Sequence, residues 1–354
     1  MELSVHPIDT IVYMQDALSA ARSRLSLHRD RFRSTTARIR RRLARESRYR
    51  RRQLNWAIKI SAPDDETAAR WGDTAFAEDL ADALRGQGQA ARVVFFGAEP
   101  SAAEEDDVVL VLRGLHDIGP VPGAVNFLWI ISHPDGVGDS EATRGWDQVF
   151  VASNTWRGIE GIEVTPLLQA VSTRRFTREP ERDDISEDVV FVGTSRRVER
   201  PVVRDAIAAG ARLGVYGHDW DDFIDPSFVR ADHLDFESVP GAYRGSRIVL
   251  NDHWSDMRDH GFISNRLFDA TAVGARVISD QVPGADEIFG GLVRTYGSVE
   301  DLRRLLSDDD AWPSVEEREA IVERVRADHS FDARAEVLTS AAMRAVRARR
   351  RVRR

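Results

Sequence analysis

Cysteine is absent from the 354 residues, which excludes disulfides, thiolate nucleophiles and cysteine-based zinc or iron–sulfur sites. Lysine occurs once, at Lys59, so nearly all positive charge is arginine. No uncharged apolar run reaches the roughly 18 residues a membrane-spanning helix needs, and no signal-peptide core stands at the N-terminus; both fit a soluble cytoplasmic protein. A G-x-x-x-x-G-K-[ST] loop and a G-x-S-x-G elbow are also missing, which disfavours a P-loop phosphotransferase and a serine hydrolase. Gly86, Gly88 and Ala91 satisfy G-x-G-x-x-A, but they follow a helix and precede a strand, the reverse of a dinucleotide-binding turn.

What is present is enough for a folded two-domain body. Hydrophobic residues make up 42% and aromatics 8%, with eight tryptophans, so disorder is not expected over most of the chain. Charge is segregated. Residues 1–52 hold 14 Arg against five acids, residues 344–354 hold seven Arg and no acid, and the net of −8 then leaves −24 on the residues between. The basic N-terminal stretch reads as an arginine-rich amphipathic helix or short coiled coil. Its uses would be contact with an anionic membrane surface or an acidic partner, or packing as a solvated extension on the acidic body. Nucleic-acid binding is not expected, because the body is acidic and shows no interleaved basic and aromatic platform.

From Leu54 onward, apolar strands alternate with helical stretches, the pattern of parallel α/β architecture. NWAIKISAP, ARVVFFG, DVVLVLRG, NFLWIISHP and DQVFVAS form one series. VTPLLQAVSTRRF reads as a crossing between domains, and DVVFVGTS and RLGVYG open a second series. The expected organisation is a basic helical extension over 1–52, an acceptor-side domain over 53–170, a donor-side domain over 171–328, and a C-terminal helix and basic tail over 329–354.

The stretch from Ser246 to Asp280 concentrates the chemistry. Two short apolar runs suited to central strands flank a polar loop and a helix that opens near Ser264 and stops at a glycine. Ser264 and Asn265 sit where the helix needs a cap. Free backbone N–H groups, the positive end of the helix dipole and the Arg266 guanidinium would therefore converge on one anion, most simply a diphosphate. Asp269 lies one turn further along the same face, where its carboxylate could accept bonds from two neighbouring sugar hydroxyls.

The run GFISNRLFDATAVGARVISD resembles the donor-binding segment of GT-B glycosyltransferases, in particular the group related to the spore-maturation glycosyltransferase CgeB. That resemblance implies two Rossmann-like domains whose parallel sheets face each other across a cleft. It also implies a nucleotide diphosphate sugar as co-substrate, with no metal or other cofactor. In the wider superfamily an acidic pair brackets the segment. Asp269 takes the second place; the first falls on Gly261, beside His260, so an acid is missing there. DVVFVGTSRR looks like the first strand of the donor domain, which makes Gly193, Arg196 and Arg197 donor candidates, with Arg200 and Arg204 behind them. Gly72 and Asp73 fall in a turn that resembles the cleft-facing turn of the acceptor domain; Asp73 is either a catalytic base or the cap of the helix that follows. His133 ends an apolar strand and takes the role of a histidine that faces the transferred sugar in such enzymes, and His253 is a similar strand-end candidate. Asp219 and Asp221 form D-x-D, a metal signature of the GT-A fold that the two α/β series contradict. The expectation is a glycosyltransferase acting on an unidentified glycan, lipid or small-molecule acceptor. The alternatives are a nucleotide-sugar epimerase or hydrolase on the same fold, or a non-catalytic nucleotide-sugar-binding scaffold.

Overall fold

The computed structural model describes residues 40, 43–98, 105–180 and 185–352. Of the arginine-rich extension, residues 43–50 form helix α1; residues 1–39, 41 and 42, and the tail residues 353–354, lie outside the described residues. Asn55–Arg354 forms one unit by contact and Met1–Leu54 another.

The first lobe is a six-stranded parallel sheet of β1 (Asn55–Pro63), β2 (Ala90–Phe96), β3 (Val108–Arg113), β4 (Val125–Ile130), β5 (Gln148–Val151) and β6 (Val164–Pro166), in the order β2-β1-β3-β4-β5-β6. The second holds β7 (Val189–Val192), β8 (Leu213–Tyr216), β9 (Val229–Ala231), β10 (Ile248–Asn251), β11 (Arg276–Ser279) and β12 (Val293–Thr295), in the order β12-β11-β10-β7-β8-β9. VVLVLR, VNFLWI and IVLN are buried at every position, as strands covered on both faces must be. The stretch read as a pure crossing is part strand: Val164–Pro166 pairs with β5 before the chain leaves the lobe. Strands β9 and β12 are three residues each, too short for periodicity to announce.

The helices, in chain order, are α2 (Gly72–Gly86), α3 (Asp139–Ala142), α4 (Pro201–Ala208), α5 (Val239–Gly245), α6 (Ser255–Asp259), α7 (Asn265–Ala272), α8 (Ala285–Phe289), α9 (Val299–Ser307), α10 (Val315–Asp328) and α11 (Phe331–Val352). Helix α2 buries Phe76, Ala77, Leu80, Ala81 and Leu84, a stripe at helical spacing, and each of its large apolar side chains contributes about 1.5–3 kcal/mol. Helix α10 opens with a reciprocal capping box between Ser314 and Glu317.

Among the described residues, several connections join the lobes, including an ion pair between Arg175 and Asp79. The chain crosses once after β6, held by Trp129 Nε1 donating to the Leu167 carbonyl and Gln169 Nε2 donating to the Ile131 carbonyl. It crosses back at Phe331, where α11 begins on the first lobe: Phe331 meets Phe76 edge-on at 4.7 Å, and Arg334 donates to the carbonyls of Leu168 and Gln169. A further connection is a loop of the second lobe. Met257 and Phe262 enter the first lobe's core with Val151 and Ala152, and Phe262 bridges Ser153 in antiparallel register.

Candidate functional site

A cleft of about 500 Å³ lies between the carboxyl ends of the two sheets, where open α/β folds take ligands. Gly72, Asp73, His133, Gly193, Arg196, Ser264, Asn265, Arg266 and Asp269 all line it. Arg197 and His253 are not among the lining residues. The Arg197 side chain is 85% exposed and points to Asp219, and the His253 side chain is fully buried. Arg200 is likewise taken out of play by a buried two-pronged ion pair with Asp252, and Arg204 is spent on exposed pairs with Glu199 and Asp205.

The start of α7 is the centre of the donor side. Ser264 occupies the N-cap, but its side chain makes no capping bond and remains available to the cleft. Two residues on, the Arg266 guanidinium is clamped by three neighbours: Nη2 donates to the Val192 carbonyl at 2.7 Å, Nη1 to Asn251 Oδ1 at 3.1 Å, and Nε to the Tyr243 hydroxyl at 3.3 Å. It also lies over the Phe191 ring. None of these partners is a carboxylate, so its charge is positioned without being neutralised. Gly193 permits this approach, since a Cβ there would stand 3.1 Å from Arg266 Nη2.

Arg196 lines the same cleft and lies close enough to Arg266 to feel its charge. Its backbone is left-handed at φ 62°, and its guanidinium stacks 4.3 Å above Trp254. It makes no ion pair among the described residues. Desolvation first, then the charges of Arg200 and Arg266, lower its pKa against the opposing pull of Asp252, and the solvent exposure the residue keeps moderates that shift. Two guanidiniums without a bound carboxylate, beside a helix start, make this corner of the cleft electropositive, as an anion would require.

Deeper in the cleft, Asn265 Nδ2 donates to Asp269 Oδ2 at 2.7 Å. The remaining oxygens of this pair, Asn265 Oδ1 and Asp269 Oδ1, are buried without partners. Burial first, and then the nearby charge of Asp79, hold the Asp269 carboxyl well above the usual carboxylate range. An amide oxygen that accepts and a carboxyl oxygen that donates when protonated and accepts when ionised, both buried without partners, suit hydroxyl groups, which can do either.

Across the cleft, Asp73 stands in the first turn of α2. It is not the helix cap: Trp71 holds that position, without a side-chain bond. The Asp73 carboxyl instead takes a backbone hydrogen bond from Ser61, and burial pushes it up to about 6 even though that bond and His116 act to lower it. His133 adopts the left-handed conformation before Pro134, with its ring 5.6 Å from Trp254 and Nδ1 3.8 Å from Asp256. Burial lowers its pKa, Asp256 opposes this, and Arg196 and Arg113 lower it further, so the imidazole is neutral at pH 7.

Gly261 has a physical reason to lack a side chain. Its φ is +71°, and a Cβ would stand 2.2 Å from Thr155 Oγ1 and 3.2 Å from Ser153 Oγ. Both of those hydroxyls donate to the His260 carbonyl, and His260 Nε2 meets Asp135 at 2.8 Å. The place where the acidic pair would begin is occupied by the lobe-to-lobe loop. Trp254, Asp79, Arg175 and Tyr243 also line the cleft, and no local pattern marks them in the sequence. Among the described residues, no group of three His, Asp or Glu side chains is placed to hold a metal ion. None of the described helices is long and apolar enough to cross a membrane.

Residues 196–340 match the family model described as glycosyl transferase-like. No curated protein sequence matches the chain significantly. Among solved structures, the chain resembles AviGT4, a glycosyltransferase involved in avilamycin A biosynthesis, at 18% identity and TM-score 0.58, covering 83% of this chain and 98% of that one. Sucrose-phosphate synthase from Thermosynechococcus elongatus aligns at 11% identity and TM-score 0.55, covering 84% and 99%. T4 phage BGT, in complex with its UDP-glucose substrate, aligns at 10% and 0.54, covering 81% and 99%. The shared fold is GT-B, and the family match over the second lobe together with that fold supports a glycosyltransferase.

Proposed function

We propose that this GT-B glycosyltransferase moves a sugar from a nucleoside diphosphate donor to a hydroxyl acceptor, with guanidinium groups rather than a divalent cation stabilising the departing diphosphate. One observation supports this above all. Arg266, free of carboxylates, stands at the start of the helix that carries two buried unpartnered oxygens, on Asn265 and Asp269, and Arg196 lines the same cleft. A diphosphate next to a ribose offers the matching chemistry, an anion followed by adjacent hydroxyls.

Charge grows on the diphosphate as the glycosidic bond breaks. Arg266 is already fixed where that charge develops, so no reorganisation is needed during the reaction. Asp73, on the opposite wall, takes the proton of the acceptor hydroxyl, and the neutral His133 faces the transferred sugar. Membership of the CgeB-like group rests on the resemblance of GFISNRLFDATAVGARVISD. The test is a panel of nucleoside diphosphate sugars incubated with and without candidate acceptors in the presence of EDTA. Acceptor-dependent release of nucleoside diphosphate is the expected result. Tight donor binding with no release under any condition would leave a binding protein instead. In the active system, Arg266→Ala weakens transition-state stabilisation by about 2–4 kcal/mol.

A further inference from the structure

Phe96 is the one large aromatic side chain exposed among the described residues, at 44%, and Leu115 is exposed at 55%. They lie at the carboxyl ends of two strands of the first sheet, next to the cleft rather than among its lining residues. Phe96 is the last residue of β2, and Leu115 follows the end of β3 by two positions; these strands flank β1 on either side. The His116 ring lies on Phe96, centroids 4.2 Å apart and 20° from parallel, so a flat, mostly apolar ledge is already formed.

This ledge is tied to the proposed base through one residue. Ser61 Oγ accepts the backbone N–H groups of Leu115 and His116 at 3.0 and 3.1 Å, while the Ser61 backbone bonds the Asp73 carboxyl. The Asp73 Oδ2 atom would lie 2.9 Å from a Cβ on Gly114, the residue that joins β3 to the ledge. An acceptor hydroxyl resting on Asp73 therefore has its own framework laid over Gly114, Leu115 and the Phe96–His116 stack. Solvent-exposed Phe and Leu beside a desolvated acid are unfavourable in the free protein and become favourable when a flat apolar surface covers them.

We infer that Phe96, Leu115 and His116 form the acceptor subsite, and that the acceptor presents a planar apolar face next to its reactive hydroxyl, from either an aryl ring or the C–H face of a sugar ring. This rests on Asp73 as the acceptor-side base.

Saturation-transfer NMR on the full chain tests it with two probes, 4-nitrophenol for the aryl source and methyl β-D-glucopyranoside for the sugar source. The expected result is saturation transfer to one of them, with the stronger naming the source. Binding should weaken about three- to tenfold in Phe96→Ala and in Leu115→Ala, the range a lost aromatic or apolar contact gives. Thermal stabilisation by UDP, measured on the same variants, should be unchanged, which separates failure of the ledge from failure of the donor site. No transfer to either probe, or transfer equal in wild type and both variants, overturns the proposal. So does a Phe96→Ala chain that changes from oligomer to monomer by light scattering, since a second copy would then be what covers the ledge.

Discussion

Ser264 donates its backbone N–H to Nε2 of His253 at 2.9 Å. An Nε2 that accepts cannot carry hydrogen, so the proton sits on Nδ1 and points to Asp280 Oδ1, 2.6 Å away. Asp280 also accepts the His253 N–H and the Ser279 hydroxyl, Ser279 Oγ accepts Asn251 Nδ2, and Asn251 Oδ1 accepts Arg266. One carboxylate thus anchors both parts of the proposed anion site, the start of α7 and the Arg266 guanidinium. Its pKa is lowered despite burial, which pushes it up, because bonds to His253 and Ser279 outweigh that push.

His253 is therefore a positioning residue, and two substitutions divide its two bonds. His253→Gln keeps an acceptor near the Nε2 position; His253→Asn keeps a donor near Nδ1 and leaves the Ser264 N–H unpaired. Pyrophosphate affinity, read by calorimetry, should be nearly retained in the Gln variant and fall about tenfold in the Asn variant, the cost of one orphaned buried donor. Equal losses in both, tracking their thermal stability, would reduce His253 to a packing role.

Arg196→Ala should weaken nucleoside diphosphate binding by about 1.5–3 kcal/mol, as expected for a charged hydrogen-bonding group. The free protein should melt at the same temperature or slightly higher, because the substitution orphans no carboxylate and relieves repulsion with Arg200 and Arg266. A marked loss of melting temperature with unchanged binding would contradict this assignment.

The raised Asp73 pKa sets two pH responses of opposite sense. Transfer needs the ionised carboxylate, so kcat/KM should fall as pH drops through about 6, and Asp73→Asn should lose about 100- to 10,000-fold activity at all pH values. Stability runs the other way. The folded carboxyl binds its proton more tightly than the unfolded one, so its contribution is complete below 3.8 and is lost as pH rises through about 6. At pH 7.5 Asp73→Asn should accordingly be more stable by roughly 1–3 kcal/mol in urea unfolding, and an activity limb near pH 4 would remove Asp73 from the reaction.

Gly261→Glu, which would restore the first member of the acidic pair, should destabilise the fold rather than add a catalytic group. Gly261→Ala alone should cost roughly 2–4 kcal/mol, combining a left-handed backbone with a side chain driven into Thr155. Thr155→Ala in the Gly261→Ala background should recover part of that loss, since it removes the nearest atom and leaves the backbone strain. Unfolding curves that show no such recovery would assign the cost to the backbone alone.

Much of the architecture was legible because it is local. Buried runs such as VVLVLR and IVLN admit few alternatives to central strands, and Ser264 before NRLFDATA announces a helix start whatever surrounds it. The site was legible to the extent that one segment carries it: Ser264, Asn265, Arg266 and Asp269 all face the cleft. What escaped depends on partners far away in sequence. Arg197 is adjacent to Arg196, yet the left-handed turn at both residues sends one into the cleft and the other toward Asp219. Asp73 looks like a helix cap until Ser61 claims its carboxylate, and Gly261 looks like a lost acid until Thr155 is placed against it. Spacing along one helix cannot report such contacts.

The insertion of Met257 and Phe262 into the core around Val151 and Ala152 bears on how this chain is made. The first lobe ends its sheet at Pro166, but two of its core side chains arrive roughly a hundred residues later, and Phe331 and Arg334 later still. A nascent chain released as far as Pro166 holds a sheet with an open flank. It closes that flank only after most of the second lobe has been synthesised, so the first lobe is expected not to fold as an autonomous unit. Expressing it alone should yield an aggregating fragment, and the two halves expressed as separate chains should become soluble only together.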